Sequence, residues 1–196
     1  RDAALPAAAR FADPAQVRTW RKWVDATVAR SAREKIPAIV VYKEKRLLVL
    51  YDRGRAVAVY TADMGRNRLQ QKRHAGDKAT PEGRYHVTAK KQGGQTRYYK
   101  ALLLDYPNDE DRSRFARIRA EGGVPDGVGP GRHIEIHGHG GRERDWTDGC
   151  VALSDPDMDT LFAKVAVGTP VTIVGGDGQD GVFSSLWRDH AAENGR

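Results

Sequence analysis

The chain has 196 residues, of which 39% are hydrophobic and 30% charged, and its formal net charge at pH 7 is +7. This length suits one domain with extensions, and the composition is typical of a globular protein. No stretch approaches the ~20 apolar residues of a membrane-spanning helix. The basic charge suits nucleic acid, anionic lipid or an acidic polymer, but no aromatic residues alternate with the basic ones, as they do in nucleic-acid grooves. We therefore expect no transmembrane span and no nucleic-acid partner, and we interpret the local basic cluster as a solvated surface, namely Arg66, Arg68, Lys72 and Arg73.

A helix is predicted near the N-terminus. Asp13 is a suitable N-cap, Pro14 fits the first turn, and Gln16 is placed to complete a capping box. Apolar residues then recur at helical spacing, namely Val17, Trp20, Val24 and Val28. These features predict a packing helix that ends at about Arg33, within an N-terminal extension of residues 1–36.

Short β-branched segments separated by turn residues follow this helix. The segments 38–42, 46–51 and 55–61 predict an antiparallel meander. The polar stretch 64–83 contains glycine and is too long for a hairpin, so it is a candidate functional loop.

Strands and helices alternate in the second half of the chain. Two helices are predicted, one from an N-cap at Asn108 to Ala120 and one from a cap at Ser154 or Asp155 to about Val165. Further strands are predicted at 84–89, 99–106, 133–137, 150–153 and 169–174. The sequence therefore predicts a strand-dominated α+β domain over 37–174. It is followed at 175–196 by a glycine-rich linker and a terminal helix or tail that contains Trp187.

The only cysteine, Cys150, lies close in sequence to several histidines. Alternation along the predicted strand 133–137 places His133, Glu135 and His137 on one face and the isoleucines between them on the core face. His137 would then emerge at a strand end beside Gly138, and Cys150 would begin the next strand after Gly149. Such strand ends can bring a thiol and an imidazole together, with His137 as the base and backbone N–H groups at Gly149 and Cys150 as oxyanion donors.

Two other interpretations of these residues remain open. A zinc site is chemically suitable, but the ligand spacing is not diagnostic. Its candidate ligands are His133, His137, His139, Asp148 and Cys150. Surface histidines around a buried structural cysteine are the second alternative, which does not explain the glycines beside each reactive residue. We expect no metal and no cofactor, and we expect activity to persist in the presence of a chelator.

Paired motifs carry a family resemblance. The active-site signature of the L,D-transpeptidase (YkuD-type) catalytic domain resembles two segments here, Ile136-His137-Gly138 and Thr147-Asp148-Gly149-Cys150-Val151. The family's Thr-Pro-x-Gly turn resembles the segment from Gly76 through Thr80-Pro81-Glu82-Gly83 to Tyr85. The resemblance extends over roughly residues 37–174.

The resemblance implies a β-sandwich-like catalytic domain that acts on peptidoglycan stem peptides. The cysteine would attack the carbonyl of the L-centre of diaminopimelate, release the terminal D-alanine and form a thioester, which an amine would then resolve. On the matching positions Cys150 is the nucleophile and His137 the general base. Supporting or oxyanion roles are expected for Gly138, His139, Asp148 and Gly149, and substrate binding for Arg84, Trp146 and Thr147.

Two positions depart from the family pattern. Asp148 replaces the histidine that usually precedes Gly-Cys, and Ala152 replaces an arginine. The Trp-Thr-Asp-Gly-Cys form resembles a subgroup that includes enzymes cutting murein lipoprotein off peptidoglycan, so water is an alternative acceptor. Asp148 would orient a histidine, attract an amine or cap the turn. A non-catalytic wall-binding module is a further alternative, against which the intact Cys150 and His137 argue.

The resemblance also places the protein in the periplasm or cell envelope. The chain begins at Arg1 without a methionine, so we expect a signal peptide to have been removed.

Overall fold

The computed structural model describes residues 9–11 and 13–176. The predicted terminal helix or tail around Trp187, and the linker from residue 177 on, lie outside the described residues. Within these residues the chain forms three α-helices, α1 (Pro14–Glu34), α2 (Asp109–Ala120) and α3 (Asp155–Lys164). It also forms eight strands, β1 (Pro37–Tyr42), β2 (Leu47–Asp52), β3 (Arg55–Thr61), β4 (Gly83–Gln92), β5 (Lys100–Leu104), β6 (Glu135–His137), β7 (Val151–Ala152) and β8 (Pro170–Val174).

The strands form one curled sheet in the order β3-β2-β1-β8-β4-β5-β6-β7. The predicted meander is confirmed, because β1 pairs with β2 and β2 with β3, both antiparallel. The last strand, β8, inserts between β1 and β4, parallel to β1 and antiparallel to β4. At the other edge β6 and β7 pair in parallel. The predicted strand-dominated α+β class is confirmed.

The sheet is covered on both faces where it is most apolar. The inner face curls around the main core, to which β1 contributes Ile39 and Val41 and α3 contributes Met158 and Leu161. The alternate residues of β1 face outward and pack under α1 beside Trp20. A strand that buries both faces appears in sequence as a continuous apolar run, as 38–42 does.

The helix termini follow the predicted capping chemistry. The Asp13 carboxylate accepts a hydrogen bond from the N–H of Ala15, and α1 runs one residue past the predicted end. Asn108 caps α2 and Ser154 caps α3, each accepting an N–H bond three residues on. The prediction that Gln16 completes a capping box is wrong, since α1 is capped by the Asp13 side chain alone.

Several strand limits differ from prediction for a backbone reason. The strand predicted to start at residue 133 starts at Glu135, and the one predicted from residue 99 starts at Lys100. His133 and Tyr99 have φ values of 59° and 27°, which an extended strand does not accommodate. The segment predicted as 150–153 pairs only at Val151–Ala152, so Cys150 lies in the turn.

The candidate functional loop 64–83 is fixed to the sheet by a buried ion pair. The Lys43 ammonium is fully buried and bonds to the carboxylate of Glu82 at 2.9 Å and to the carbonyls of Gln70 and Thr80. Arg10 binds the other Glu82 oxygen at 2.6 Å. Lys43 therefore fixes the loop at Gln70 and again at Thr80 and Glu82. Neither Lys43 nor Glu82 can move away without leaving a buried charge unpaired.

Glu82→Gln is expected to lower the free energy of unfolding by about 3–5 kcal/mol, because it leaves the Lys43 ammonium buried without its carboxylate. Urea unfolding followed by circular dichroism measures this. The matched control is Glu34→Gln, which removes an exposed carboxylate paired with Arg30 at the end of α1 and should change stability little. Equal stability of the two variants would contradict a structural role for the buried pair.

Candidate active site

Cys150 opens into a cleft of about 640 Å³. One wall is the 64–83 loop, through Lys72 and Lys78, and the other is the segment that precedes β6, through Arg132 and His133. The two walls are tied together by the hydrogen bond from the N–H of Ala75 to the carbonyl of Gly129, at 2.8 Å. The thiol therefore lies in a cleft large enough for a short peptide.

The parallel pairing of β6 and β7 places Cys150 and His137 on one face of the sheet. Ile136 is opposite Val151 and His137 is opposite Ala152, so Cys150 is level with the residue two before His137. The Ile136 and Val151 side chains enter the main core, so the alternate residues face the other way. Strand spacing and rise put the Cys150 and His137 backbones about 8 Å apart, within reach of two side chains.

The thiol and the imidazole do not bond to each other in this structure. The Cys150 Sγ lies 3.6 Å from the carbonyl oxygen of His133, and among the described residues it has no hydrogen bond to His137. Catalytic pairs often tighten only when substrate is bound. The predicted strand position of His137 is confirmed, whereas Cys150 lies in the turn before β7 and not in the strand. The direct contact of the two groups remains a prediction.

His137 is buried and its ring is fixed by aromatic neighbours. Tyr98 stacks on it at a centroid distance of 3.9 Å and an interplanar angle of 16°. Trp146 contacts it edge-on at 6.0 Å. The Nδ1 atom lies 2.7 Å from the carbonyl oxygen of Gly138. A carbonyl only accepts, so Nδ1 must carry the proton, and Nε2 has a lone pair that no described residue engages.

Both groups are neutral at pH 7. Burial raises the pKa of the Cys150 thiol to about 11 and lowers the pKa of His137 below its ordinary value. Desolvation disfavours the thiolate and the imidazolium alike. The resting site is therefore a thiol beside a neutral imidazole rather than an ion pair, and the base must take the proton as the sulfur attacks.

The protonation states predict the pH dependence of alkylation. A thiol pKa raised to about 11 leaves the thiol protonated at pH 7, and the thiolate fraction then grows with pH. The rate of Cys150 modification by iodoacetamide should therefore rise about tenfold per pH unit from pH 7 to 9.5 without a plateau. The urea-unfolded chain should level off above pH ~8.5. A plateau below pH 7 in the folded protein would instead establish a thiolate–imidazolium pair.

The turn before Cys150 is held by Thr147 and requires glycine at 149. The Thr147 hydroxyl donates to the Cys150 carbonyl at 2.6 Å and accepts from the Gly149 N–H at 3.2 Å. Gly149 has φ 133°, and a Cβ there would lie 2.8 Å from the carbonyl oxygen of Ala79. The Gly149 N–H is already bonded to the Thr147 hydroxyl, so of the two predicted oxyanion donors only the Cys150 N–H is left free by the described residues to bind an oxyanion. Thr147 is buried and supports the turn.

Asp148 and His139 were predicted to support the catalytic pair, but their nearest side-chain partners are Arg66 and Asp155, respectively. The Asp148 side chain is 79% exposed at the cleft and lies 3.5 Å from Arg66. Among the described residues it bonds to neither histidine, and Thr147 makes the side-chain bonds of the turn. His139 binds Asp155, the first residue of α3, through its N–H and its ring.

The three residues predicted to bind substrate have separate environments. Arg84 on β4 pairs with Glu110 of α2 and lies outside the cleft, so this geometry gives no support to a substrate-binding role. Trp146 is half-buried between His137 and the guanidinium of Arg142, which lies 4.0 Å from the ring centroid. Thr147 is buried in the turn before Cys150. Gly138, for which a supporting role was predicted, supplies the carbonyl that orients His137.

Three residues at the site were not predicted. Tyr98 lies at the β4–β5 turn, where nothing in the sequence indicates contact with His137. Asp63 is fully buried and accepts the indole N–H of Trp146 at 2.9 Å. The only signal for it in the sequence was an acidic residue two positions after the end of a predicted strand. Lys72 was interpreted as a solvated surface residue, and that is wrong. It is 4% exposed and bonds to Asp77 at 2.8 Å.

The described residues contain no group of three or more His, Cys, Asp or Glu side chains that could hold a metal ion. No helix among them is both long enough and apolar enough to cross a membrane.

Known proteins resemble this chain in sequence and fold. The sequence profile of the L,D-transpeptidase catalytic domain, YkuD, matches residues 36–173. YafK of Escherichia coli (strain K12) is 28% identical over 132 residues, which cover 65% of this chain and 46% of YafK. The structure of Bdellovibrio bacteriovorus Bd1075 has a TM-score of 0.54 and 20% identity over 81% of this chain and 54% of that one. The chain thus spans about half the length of each relative. Since the profile matches most of it, the chain belongs to the L,D-transpeptidase catalytic domain (YkuD) family.

Proposed function

We propose that this protein is a cysteine acyltransferase of peptidoglycan stem peptides, with Cys150 as nucleophile and His137 as general base. The observation that supports it most is the placement of the free thiol. It opens into a peptide-sized cleft and lies on the same face of the sheet as a buried, neutral imidazole whose Nδ1 proton is fixed by Gly138. Family membership supports peptidoglycan stem peptides as the substrate class, and we propose the periplasm or cell envelope as the site of action.

The proposed reaction has two halves. In the first, Nε2 of His137 takes the thiol proton while Sγ attacks the carbonyl of the L-centre of diaminopimelate. The Cys150 N–H stabilises the oxyanion, and collapse returns the proton from His137 to the departing D-alanine. In the second, an amine attacks the thioester, His137 accepts its proton, and the thiolate leaves and is reprotonated.

The acceptor decides between transfer and hydrolysis. An amine must reach the thioester faster than water, which requires a group that positions it. Asp148 is exposed at the cleft and its nearest cation, Arg66, is 3.5 Å away and itself half-exposed. Such a loosely paired carboxylate can attract an ammonium group, so we favour an amine acceptor. Hydrolysis at the same bond, by an L,D-carboxypeptidase or a lipoprotein–peptidoglycan endopeptidase, is the alternative.

Incubation with a purified tetrapeptide muropeptide tests the proposal, with products identified by mass spectrometry. Dimers with a diaminopimelate–diaminopimelate link are expected, together with released D-alanine. Tripeptide monomers alone would make the protein a carboxypeptidase. No change to the muropeptide, with lipoprotein released from intact sacculi, would make it an endopeptidase. Asp148→Asn should lower the ratio of dimer to tripeptide if the carboxylate recruits the amine.

A further inference from the structure

The walls of the cysteine cleft carry an excess of positive charge. Three lysine or arginine side chains line it, namely Lys72, Lys78 and Arg132, against one carboxylate, that of Asp148. Opposite charges inside a protein are normally paired, so the pairing of each cation is informative. Lys72 is buried and bonds to Asp77, which neutralises it. The other two cations, Lys78 and Arg132, are not neutralised in this way by any described residue.

Lys78 and Arg132 have no carboxylate partner among residues 9–11 and 13–176. Both side chains are exposed to the cleft from opposite walls. Neither forms a salt bridge or a side-chain hydrogen bond with any described residue, whereas Lys72, the third cation that lines the cleft, bonds to Asp77. Two unpaired cations that line the same cleft can together bind an anionic group of a ligand.

Their backbones are held in place, so the two cations are not on loose loops. The Asp77 carboxylate accepts N–H bonds from Arg73, His74 and Ala79, which fixes the turn on both sides of Lys78. The segment before Arg132 is held by two bonds to its carbonyls, from the Tyr106 hydroxyl to Pro130 at 2.7 Å and from the Ala75 N–H to Gly129 at 2.8 Å. A preorganised pair of cations loses little conformational freedom when it binds a ligand.

We propose that Lys78 and Arg132 form a carboxylate-binding subsite of the cysteine cleft, which selects an acyl donor that bears a free carboxylate near the scissile bond. The identity of the occupant as the acyl donor rests on the proposed function. The subsite itself does not, because it can be measured on the thiol without turnover. Asp148 at the same cleft disfavours a polyanion such as nucleic acid, whereas a peptide that carries both a carboxylate and an ammonium group suits both signs of charge.

Paired alkylating reagents test the subsite directly. Iodoacetate and iodoacetamide react with the same thiolate and differ mainly in the carboxylate of the first, so the ratio of their rates at Cys150 cancels any change in thiol pKa. The wild-type ratio should exceed that of the urea-unfolded chain. Lys78→Gln and Arg132→Gln should each lower it about threefold, and the double variant about tenfold. Salt should weaken the wild-type preference.

Arg117→Gln is the matched control, because it removes one exposed charge from α2, outside the cleft. Its ratio should equal that of wild type. An unchanged ratio in the double variant, or an equal fall in the control, would overturn the subsite and leave only a general effect of net charge.

Matched donors extend the test to catalysis. With a muropeptide whose diaminopimelate carboxylate is free, the double variant should raise KM about tenfold at unchanged kcat. With the same donor amidated at that carboxylate, the variants should behave as wild type. An equal rise in KM for the free and the amidated donor would show that the two cations do not select for the carboxylate. If no muropeptide reacts with any form while the alkylation ratios behave as expected, the proposed function fails and the anion subsite stands.

Discussion

Replacing Cys150 with alanine is expected to reduce acyl transfer on the order of 10³-fold or more, because the thiol supplies the covalent step. The measurement is the initial rate of D-alanine release from a tetrapeptide muropeptide. The fold should survive, because a thiol forms only weak hydrogen bonds, such as the one to the His133 carbonyl at 3.6 Å, and alanine leaves the backbone of the turn unchanged. Thermal unfolding should therefore stay close to that of wild type.

Cys150→Ser is the informative companion variant. It replaces the sulfur nucleophile with an oxygen in nearly the same position, but a hydroxyl is far less acidic than a thiol, so a large loss of activity is expected here too. Activity of either variant within tenfold of wild type, with the fold intact, would contradict the assignment of Cys150 as nucleophile.

His137→Gln is expected to slow acylation about 100-fold or more, the usual worth of a general base. The buried ring is stacked on Tyr98, and its Nδ1 is bonded to the Gly138 carbonyl, so Nε2 alone can accept the proton. Because the lowered pKa keeps the imidazole neutral at pH 7, the wild-type rate should fall only when the pH drops below that lowered pKa. Glutamine has no such base, so the variant should lose this acidic limb.

His139→Gln is the matched control for this prediction. His139 is bonded to Asp155 at the start of α3, so its replacement should cost much less than that of His137. A large loss in the His139 variant, with the His137 variant near wild type, would require the two roles to be exchanged.

The local chemistry of the sequence was sufficient for most elements of the fold. Asp13, Asn108 and Ser154 are cap residues with clear signatures, and all three cap helices. The position of β8 could not be predicted, because its pairing with β1 joins residues about 130 apart in sequence, and local pattern carries no information about such contacts. The predicted strand starts at Tyr99 and His133 were wrong, because the positive φ values of these two residues cannot be inferred from their residue types.

The candidate site divides in the same way. Strand alternation predicted the face of His137, and the glycine beside each reactive residue indicated two strand ends that bring Cys150 and His137 together. Their shared face became clear only from the pairing of β6 with β7. The groups that surround them come from distant segments. Tyr98 reaches His137 through the pairing of β5 with β6, and Lys72 joins the cleft because the 64–83 loop folds back onto Gly149. These contacts of Tyr98 and Lys72 depend on packing between distant segments, which a local sequence motif cannot predict.

If Cys150 carries the acyl group as a thioester, as we propose, the intact mass of the protein will show it. The protein should be incubated briefly with a tetrapeptide muropeptide, quenched in acid and measured by mass spectrometry, with Cys150→Ala in parallel. We expect an adduct whose mass equals that of the muropeptide less D-alanine, which maps to Cys150, is removed by hydroxylamine and is absent from the variant. Release of D-alanine without an adduct, and at the same rate in Cys150→Ala, would contradict it.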